Sequence, residues 1–158
     1  MERDRSLDTL NSFLVGEIAA VESYRRALAG LERRDRAGQL RLCLASHQRR
    51  VAMLTRRIRE LGGTPSGRAG RWGGPTRPED AGPARGDDAA IAALEAGEDG
   101  GLGRYLERVG ALDRETRRFV ARELLPEQVR THDSLCSLAL ALAKGASPLS
   151  RALPSLAR

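Results

Sequence analysis

The sequence predicts an all-α fold: a four-helix bundle with a long crossover between its second and third helices. Apolar residues recur at alternating steps of three and four along four separate stretches, which is the spacing of amphipathic helices. Aromatic residues make up only 3% of the 158 residues, which is low for a β-sandwich and ordinary for a small bundle. A segment rich in Gly, Pro and Arg, residues 63–86, separates the second and third stretches. We therefore assign residues 1–144 to one bundle and residues 145–158 to a Ser/Pro/Leu-rich C-terminal tail.

The first two helices are predicted from apolar stretches at residues 7–31 and 40–61. The connection between them is very short, so the two helices should be antiparallel neighbours. We expect helix two to open at Asp35 or Arg36. The pair Gly62–Gly63 should end it, because glycine is favoured just past a helix C-terminus.

Helices three and four are predicted from stretches at residues 91–112 and 121–142. Asp87–Asp88 is a suitable N-cap for helix three, and Asp113 is a suitable start for helix four. Pro126 should kink or restart helix four, since proline lacks a backbone N–H and clashes with the preceding turn.

The segment 63–86 is long enough to have a topological role. Its 24 residues can extend about 80 Å, whereas a bundle helix of about 26 residues is about 40 Å long. The segment can therefore return along the whole bundle and allow helix three to run parallel to helix two. The alternative is an exposed loop without a topological role.

The C-terminal tail, residues 145–158, either docks a protein partner or this bundle through its leucines, or forms a loosely packed terminus.

The charge composition excludes several classes of protein. The chain contains 26 Arg, one Lys and a net charge of +6, but the arginines are interleaved with acids and no phosphate loop or aromatic stacking platform accompanies them. Nucleic-acid binding is therefore not favoured, and most arginines should lie on a solvated surface.

Two cysteines cannot form a disulfide-rich scaffold or a four-cysteine zinc module. No stretch suggests a membrane span or a secretory signal, so we expect a cytoplasmic protein with no membrane partner.

Titratable residues interrupt the apolar face of each predicted helix. Glu17, His47, Glu98 and His132 lie on the core faces of helices one to four, each near the middle of its helix. A buried carboxylate must be paired, protonated or bound to metal. Two carboxylates and two imidazoles converging in one core would be a plausible metal shell. Whether Glu98 or its neighbour Glu95 faces inward stays open at this point.

Four segments of the sequence carry a family resemblance. The first is Leu10–Tyr24 (LNSFLVGEIAAVESY), and the second is Leu61–Pro65 (LGGTP). The third is Leu94–Tyr105 (LEAGEDGGLGRY), and the fourth is Leu124–Asp133 (LLPEQVRTHD). Together they resemble an uncharacterised bacterial ferritin-like family, distantly similar to rubrerythrin and bacterioferritin. The resemblance covers roughly residues 6–142 and implies a four-helix bundle of ferritin-like topology.

The resemblance also implies a di-iron site, built from one Glu on each of helices one and three and a Glu-x-x-His pair on each of helices two and four. The two core-facing glutamates and the two histidines match this pattern. The paired glutamates are absent, since Leu44 stands three before His47 and Val129 three before His132. Because carboxylates bridge the two metals of such a site, the departure argues against ferroxidase or peroxidase activity. A mononuclear site or a metal-free polar layer remains.

Two function hypotheses follow. The first is a metal-binding protein that holds one Fe, Mn or Zn ion through Glu17, His47, Glu98 and His132, with a stress-associated role. The second is a non-catalytic helical scaffold without metal, which acts through dimerisation or partner binding. In either case we expect a homo-oligomer, most simply a dimer.

Cysteines and glycines near these residues also need an explanation. Cys43 lies four before His47 and Cys136 four after His132, so the thiols are either small buried side chains or part of a mixed Cys/His zinc site. Four glycines crowd helix three between residues 97 and 103. Each weakens a helix by about 1 kcal/mol relative to Ala, so either a close approach or a local break should account for them.

Overall fold

The computed structural model describes residues 1–70, 72 and 86–145. These residues form α-helices and no strand: α1 (Glu2–Gly30), α2 (Ala37–Glu60), α3 (Asp87–Arg108), α4 (Arg114–Phe119) and α5 (Leu125–Gly145). A π-helical turn at Val120–Leu124 joins α4 to α5, so these pieces make up the fourth arm of a bundle. Short 3₁₀ turns precede α2 and follow α3. No helix in the described part is long and apolar enough to cross a membrane.

Contacts at the helix ends establish the topology. Nε of Arg3, at the start of α1, donates to the carbonyl of Leu61 just past α2, at 2.9 Å. The backbone N–H of Glu32, just past α1, donates to the carboxylate of Asp87 at the start of α3, at 2.8 Å. Since α2 ends where α1 begins and α3 begins where α1 ends, α3 runs parallel to α2. The predicted four-helix bundle with a long crossover between helices two and three is confirmed.

The first part of the crossover lies along α1. The side-chain amide of Asn11 donates to the carbonyl of Thr64 at 3.1 Å and accepts from the N–H of Ser66 at 2.8 Å. Four residues further on, the N–H of Gly70 donates to the carbonyl of Val15 at 2.8 Å. This part of the segment therefore follows α1 back towards the bundle centre. Residues 71 and 73–85 of the crossover, and residues 146–158 of the predicted tail, lie outside the described residues.

Trp72 explains two of the glycines in α3. Its ring is buried against the helix, and a Cβ added at Gly97 would lie 2.4 Å from the ring. A Cβ at Gly101 would lie 3.2 Å from the indole nitrogen. The helix is unbroken from Asp87 to Arg108, so a close approach and not a local break accounts for these positions.

Local chemistry ends and begins the helices at two of the predicted places. Gly62 has a φ of +72°, the left-handed region that favours glycine, and its N–H donates to the carbonyl of Arg59 at 2.8 Å. Asp113 caps α4, because its carboxylate accepts from the N–H groups of Glu115 at 3.0 Å and Thr116 at 2.9 Å. Both predictions are confirmed.

The predicted cap of α3 is wrong. Asp87 is the first residue of α3, and its carboxylate accepts from the N–H groups of Glu32 and Arg33 at 2.8 and 2.9 Å. It therefore satisfies the connection between α1 and α2 and not its own helix. Helix two begins at Ala37, one residue beyond the predicted opening, after a 3₁₀ turn.

The fourth arm differs from the prediction in which of its faces is buried. The residues that point inward are Thr116, Val120, Leu124, Gln128, Thr131 and Leu135. The expectation that His132 lies on the core face is wrong, since its side chain is 22% exposed, and Val129 is 40% exposed. The π-helical turn, which ends two residues before Pro126, is the physical reason. Its wider i→i+5 turn rotates the inward face by about one residue and accommodates the missing N–H of the proline.

The apolar core consists of two clusters, one towards each end of the bundle. Full burial of one leucine side chain contributes about 1.5–3 kcal/mol, so these clusters supply most of the driving force. The first contains Leu10, Phe13, Leu14, Leu54, Ile58, Tyr105, Leu112, Val120 and Leu124. The second contains Ala19, Ala20, Tyr24, Leu40, Cys43, Trp72, Ile91, Leu94 and Leu135. Along α1, α2 and α3, a layer of buried polar residues lies between them.

Candidate functional site

Polar side chains from every arm of the bundle meet in this central layer. All are at most 3% exposed. We call the set the buried polar cluster; it comprises Glu17 on α1, His47 and Arg50 on α2, Glu98 on α3, and Gln128 and Thr131 on α5. Two buried tyrosines, Tyr24 and Tyr105, donate hydrogen bonds into it.

The imidazole of His47 bridges the two glutamates. Its Nδ1 lies 2.7 Å from Oε2 of Glu17, and its Nε2 lies 2.9 Å from Oε1 of Glu98. Burial by itself lowers the pKa of His47, but the adjoining carboxylates outweigh burial and raise the pKa above its ordinary value of 6.5. Both ring nitrogens face carboxylate oxygens, an arrangement that favours the imidazolium form with one N–H directed at each carboxylate.

Arg50 brings a second positive charge to the same place. Its side chain is 0% exposed, and Nε donates to Oε1 of Glu17 at 3.0 Å. The rest of the guanidinium reaches Ser46 at 3.3 Å and Thr131 at 3.5 Å, and lies against the ring of His47 with Nη2 2.6 Å from Nδ1. Two cations this close require both carboxylates of the cluster to stay ionised.

The carboxylate of Glu17 is fully engaged. Oε1 accepts from Arg50 at 3.0 Å and from the hydroxyl of Tyr105 at 2.8 Å, and Oε2 accepts from His47. Burial alone would raise the pKa of Glu17, but the Arg50 guanidinium and the His47 imidazolium lower it to about 2. Glu17 is therefore an anion at any pH near neutrality.

The carboxylate of Glu98 is also fully engaged. Oε1 accepts from His47 and from the hydroxyl of Tyr24 at 2.6 Å. Oε2 accepts from the amide of Gln128 at 2.8 Å and from the hydroxyl of Thr131 at 2.9 Å. These donors outweigh burial and lower the pKa of Glu98. Since the two anions face two cations, the cluster as a whole is neutral, which is what a low-dielectric interior favours.

Aromatic rings cover the imidazole on the side of the crossover. Trp72 meets the ring of His47 edge-on, with centroids 5.6 Å apart and an angle of 86° between the planes. The ring of Tyr24 lies 5.1 Å from the imidazole and 5.7 Å from the indole. Trp72 therefore shields one side of the imidazole from solvent.

The structure brings together three of the four residues predicted as metal ligands: Glu17, His47 and Glu98. Glu98 and not Glu95 faces the core, which answers the question left open by the sequence. His132 makes different contacts, since its Nε2 lies 2.8 Å from the carboxylate of Asp99. The fourth predicted ligand is thus at the surface and not in the cluster.

Sequence reasoning missed three members of the cluster: Arg50, Gln128 and Thr131. The feature of the sequence that could have found them is their spacing along the helices. His47 and Arg50 are separated by three residues on α2, as are Gln128 and Thr131 on α5, and residues three apart share one face of a helix. This is the spacing of the Glu-x-x-His pairs, with other residues at both positions.

No protein-family model matches the chain, and no curated protein matches it. Two solved structures are similar in fold. One is a dodecameric thioferritin, the bacterioferritin-related protein from Bacteroides fragilis, with a TM-score of 0.73, 18% identity, and coverage of 90% of this chain and 88% of that chain. The other belongs to ferritin-like di-iron-carboxylate proteins from Bacillus anthracis strain Ames, with a TM-score of 0.59, 18% identity, and coverage of 98% and 99%. The predicted resemblance is confirmed at the level of the fold.

Proposed function

We propose that this chain, a ferritin-like four-helix bundle, is a non-catalytic helical scaffold whose centre is a self-neutralising ionic cluster instead of a di-iron site. The likeness to di-iron-carboxylate proteins suggests metal binding, and the question is whether the side chains of the buried polar cluster can act as metal ligands. The observation that carries the proposal is Arg50, a fully buried cation hydrogen-bonded to Glu17 at the centre of the bundle.

The buried polar cluster has the layout of a di-iron motif but not its chemistry. The motif takes one Glu from each of two helices and a Glu-x-x-His pair from each of the other two. Glu17 and Glu98 correspond to the single glutamates. The two pairs are His47/Arg50 and Gln128/Thr131, which lack both bridging carboxylates and leave one imidazole.

Arg50 adds a direct conflict with metal. A guanidinium in a protein is always protonated and cannot act as a ligand. Oε1 of Glu17 already accepts from it at 3.0 Å, so a metal ion bound there would meet a positive charge in a low-dielectric interior. The residues of the cluster therefore do not fit two iron ions, and we expect no ferroxidase or peroxidase activity.

A single Fe, Mn or Zn ion held by Glu17, His47, Glu98 and His132 is the competing function, with the stress-associated role attached to it. The contacts of the cluster weigh against it for two reasons. His132 contacts Asp99 and lies outside the cluster. Each carboxylate oxygen of Glu17 and Glu98 already has a donor within 3.0 Å, so a metal ion would have to displace those donors.

The decisive measurement is iron in the native protein. Untagged protein is incubated anaerobically with Fe(II), desalted, and analysed for iron, and its ferroxidase activity is followed in air. We expect iron far below one equivalent and no activity above that of the buffer. Stoichiometric iron that survives His132→Gln but disappears in Glu17→Gln would place metal in the buried cluster and overturn the proposal.

A variant of the same chain supplies a positive control. His47→Glu, Arg50→His, Gln128→Glu and Thr131→His together restore both Glu-x-x-His pairs while leaving the two single glutamates in place. We expect this variant to take up to two iron ions in the same assay, because the layout of the bundle then matches its chemistry.

The scaffold proposal includes self-association. The similar protein from Bacteroides fragilis is a dodecamer. In this chain, an open groove of about 260 Å³ between α1 and α2 is lined partly by Ile18, Val21 and Val51. Light scattering on a size-exclusion column would identify the oligomer, and a monomer at every concentration would contradict this part. A dimer in particular, a cytoplasmic location and a protein partner for the tail stay predictions.

A further inference from the structure

A second group of titratable side chains lies at the surface, between α3 and α5. Asp99, His132 and Cys136 each offer one ligand atom, a carboxylate oxygen, an imidazole nitrogen and a thiol sulfur. These three atoms lie within 4.8 Å of one another. We propose that this surface triad binds a single Zn²⁺ ion, independently of whether the buried polar cluster is free of metal.

The helices hold the triad in position. His132 and Cys136 are four residues apart on α5 and therefore lie one above the other on the same face. Glu95 and Asp99 are four residues apart on α3, which packs against α5. A chelating pair on α5 beside Asp99 on a packed neighbouring helix forms a more rigid site than ligands on loops.

The distances are close to those of a zinc shell. Nε2 of His132 lies 2.8 Å from Oδ1 of Asp99 and 3.7 Å from Sγ of Cys136. In a tetrahedral site with Zn–N and Zn–O near 2.0 Å and Zn–S near 2.3 Å, ligand atoms are separated by roughly 3.3–3.6 Å. The two distances from His132 therefore need changes of about half an ångström or less, and the ligand atoms of Asp99 and Cys136, which lie within 4.8 Å of each other, need to approach to about 3.5 Å.

The surroundings of the triad supply the partners that a metal-binding histidine needs. Nδ1 of His132 lies 3.3 Å from the carboxylate of Asp133, which leaves Nε2 for the metal. Binding of a dication would stabilise the Cys136 thiolate and release the thiol proton to solvent.

The donor set selects the metal. Mg²⁺ and Ca²⁺ take oxygen ligands, whereas one sulfur, one nitrogen and one or two oxygens suit Zn²⁺. The opposing interpretation is a surface ion pair between His132 and Asp99 with a bystander thiol. That interpretation predicts no thiolate–metal bond, and this difference defines the test.

The experiment is a Co²⁺ titration of reduced, untagged protein, followed by the near-ultraviolet absorption of thiolate-to-cobalt charge transfer, and then by Zn²⁺ displacement. We expect one equivalent of Co²⁺, a charge-transfer band, and its loss on addition of Zn²⁺. Cys136→Ser should abolish the band, and the matched control Cys43→Ser should keep it, because Cys43 is buried in the apolar core. Asp99→Asn and His132→Gln should each weaken Zn²⁺ binding at least about 10-fold.

Thiol alkylation provides a second readout that needs no variant. Zn²⁺ should protect Cys136 of the native protein from iodoacetamide, and EDTA should restore its reactivity. Absence of the charge-transfer band, its survival in Cys136→Ser, its loss in Cys43→Ser, or equal alkylation with and without Zn²⁺ would each overturn the proposal.

Discussion

Replacing Arg50 by methionine tests whether the ionic cluster is what holds the centre of the bundle. Methionine has a similar length and can fill much of the same space, so Arg50→Met removes the charge with little change in packing. It removes the hydrogen bond to Glu17 at 3.0 Å and that to Ser46 at 3.3 Å. The carboxylate of Glu17 keeps its hydrogen bonds from Tyr105 and His47. It loses Arg50, the cation that lowers its pKa most.

The expected cost follows from these contacts. A hydrogen bond to a charged group contributes about 1.5–3 kcal/mol, and removing one partner of a buried ion pair costs about 3–5 kcal/mol because the other charge is left uncompensated. We therefore expect Arg50→Met to lower the free energy of unfolding by about 3–5 kcal/mol. Glu17→Gln plus Arg50→Met should cost less than the sum of the single changes, with a coupling energy above about 1 kcal/mol.

Urea denaturation followed by circular dichroism measures these free energies. Arg49→Met is the matched control, because this neighbouring arginine is 59% exposed and pairs with Glu127 at 3.1 Å at the surface. It should change stability by less than about 1 kcal/mol. Equal effects of the two substitutions, or additive effects of Glu17→Gln and Arg50→Met, would refute the role assigned to the buried pair.

Two further predictions concern pH and packing. The stability contributed by Glu17 is complete above its ordinary pKa of 4.5 and is lost as pH falls towards about 2. The stability contributed by His47 is complete below its ordinary pKa of 6.5 and is lost as pH rises through the higher pKa of the folded state. Urea titrations across pH should thus show greatest stability between those limits, and an alkaline slope unchanged in His47→Gln would contradict this. Gly97→Ala should cost about 1–3 kcal/mol and change the fluorescence of Trp72, the single tryptophan. Gly103→Ala, where a Cβ meets nothing within 4 Å, should instead gain about 1 kcal/mol; equal effects would exclude the close approach.

The four helical arms and the crossover were predictable because their signals are local. These signals are the spacing of apolar residues, the end of helix two at Gly62 and the cap of α4 by Asp113. Each depends on residues within a turn or two of each other. The length of residues 63–86 allowed parallel second and third helices, and the contacts at the helix ends decided for them over an exposed loop. Gly97 and Gly101 of α3 were visible in the sequence, but the reason for them required Trp72, which reaches both from the crossover.

The buried face of the fourth arm was not predictable from the same pattern. Apolar residues flank both candidate faces, and Leu125 and Val129 favoured the one that carries His132. The π-helical turn at Val120–Leu124 shifts the inward face, and its presence depends on packing against the other helices as well as on Pro126. His132 therefore lies with Asp99 at the surface, where the two come together from positions 33 residues apart.

By itself, the sequence predicted that titratable residues interrupt the core face of every helix of an all-α bundle, which holds for Glu17, His47 and Glu98 but not for His132. Only the tertiary structure decided what neutralises them. Arg50 lies three residues after His47 on the same helix face, but this spacing alone does not predict its burial, because burying a guanidinium costs several kcal/mol unless carboxylates are close to it. Those carboxylates come from α1 and α3, and Glu17 lies 33 residues away in the chain. The charge of a core residue is therefore set by partners that only the assembled bundle brings within 3 Å.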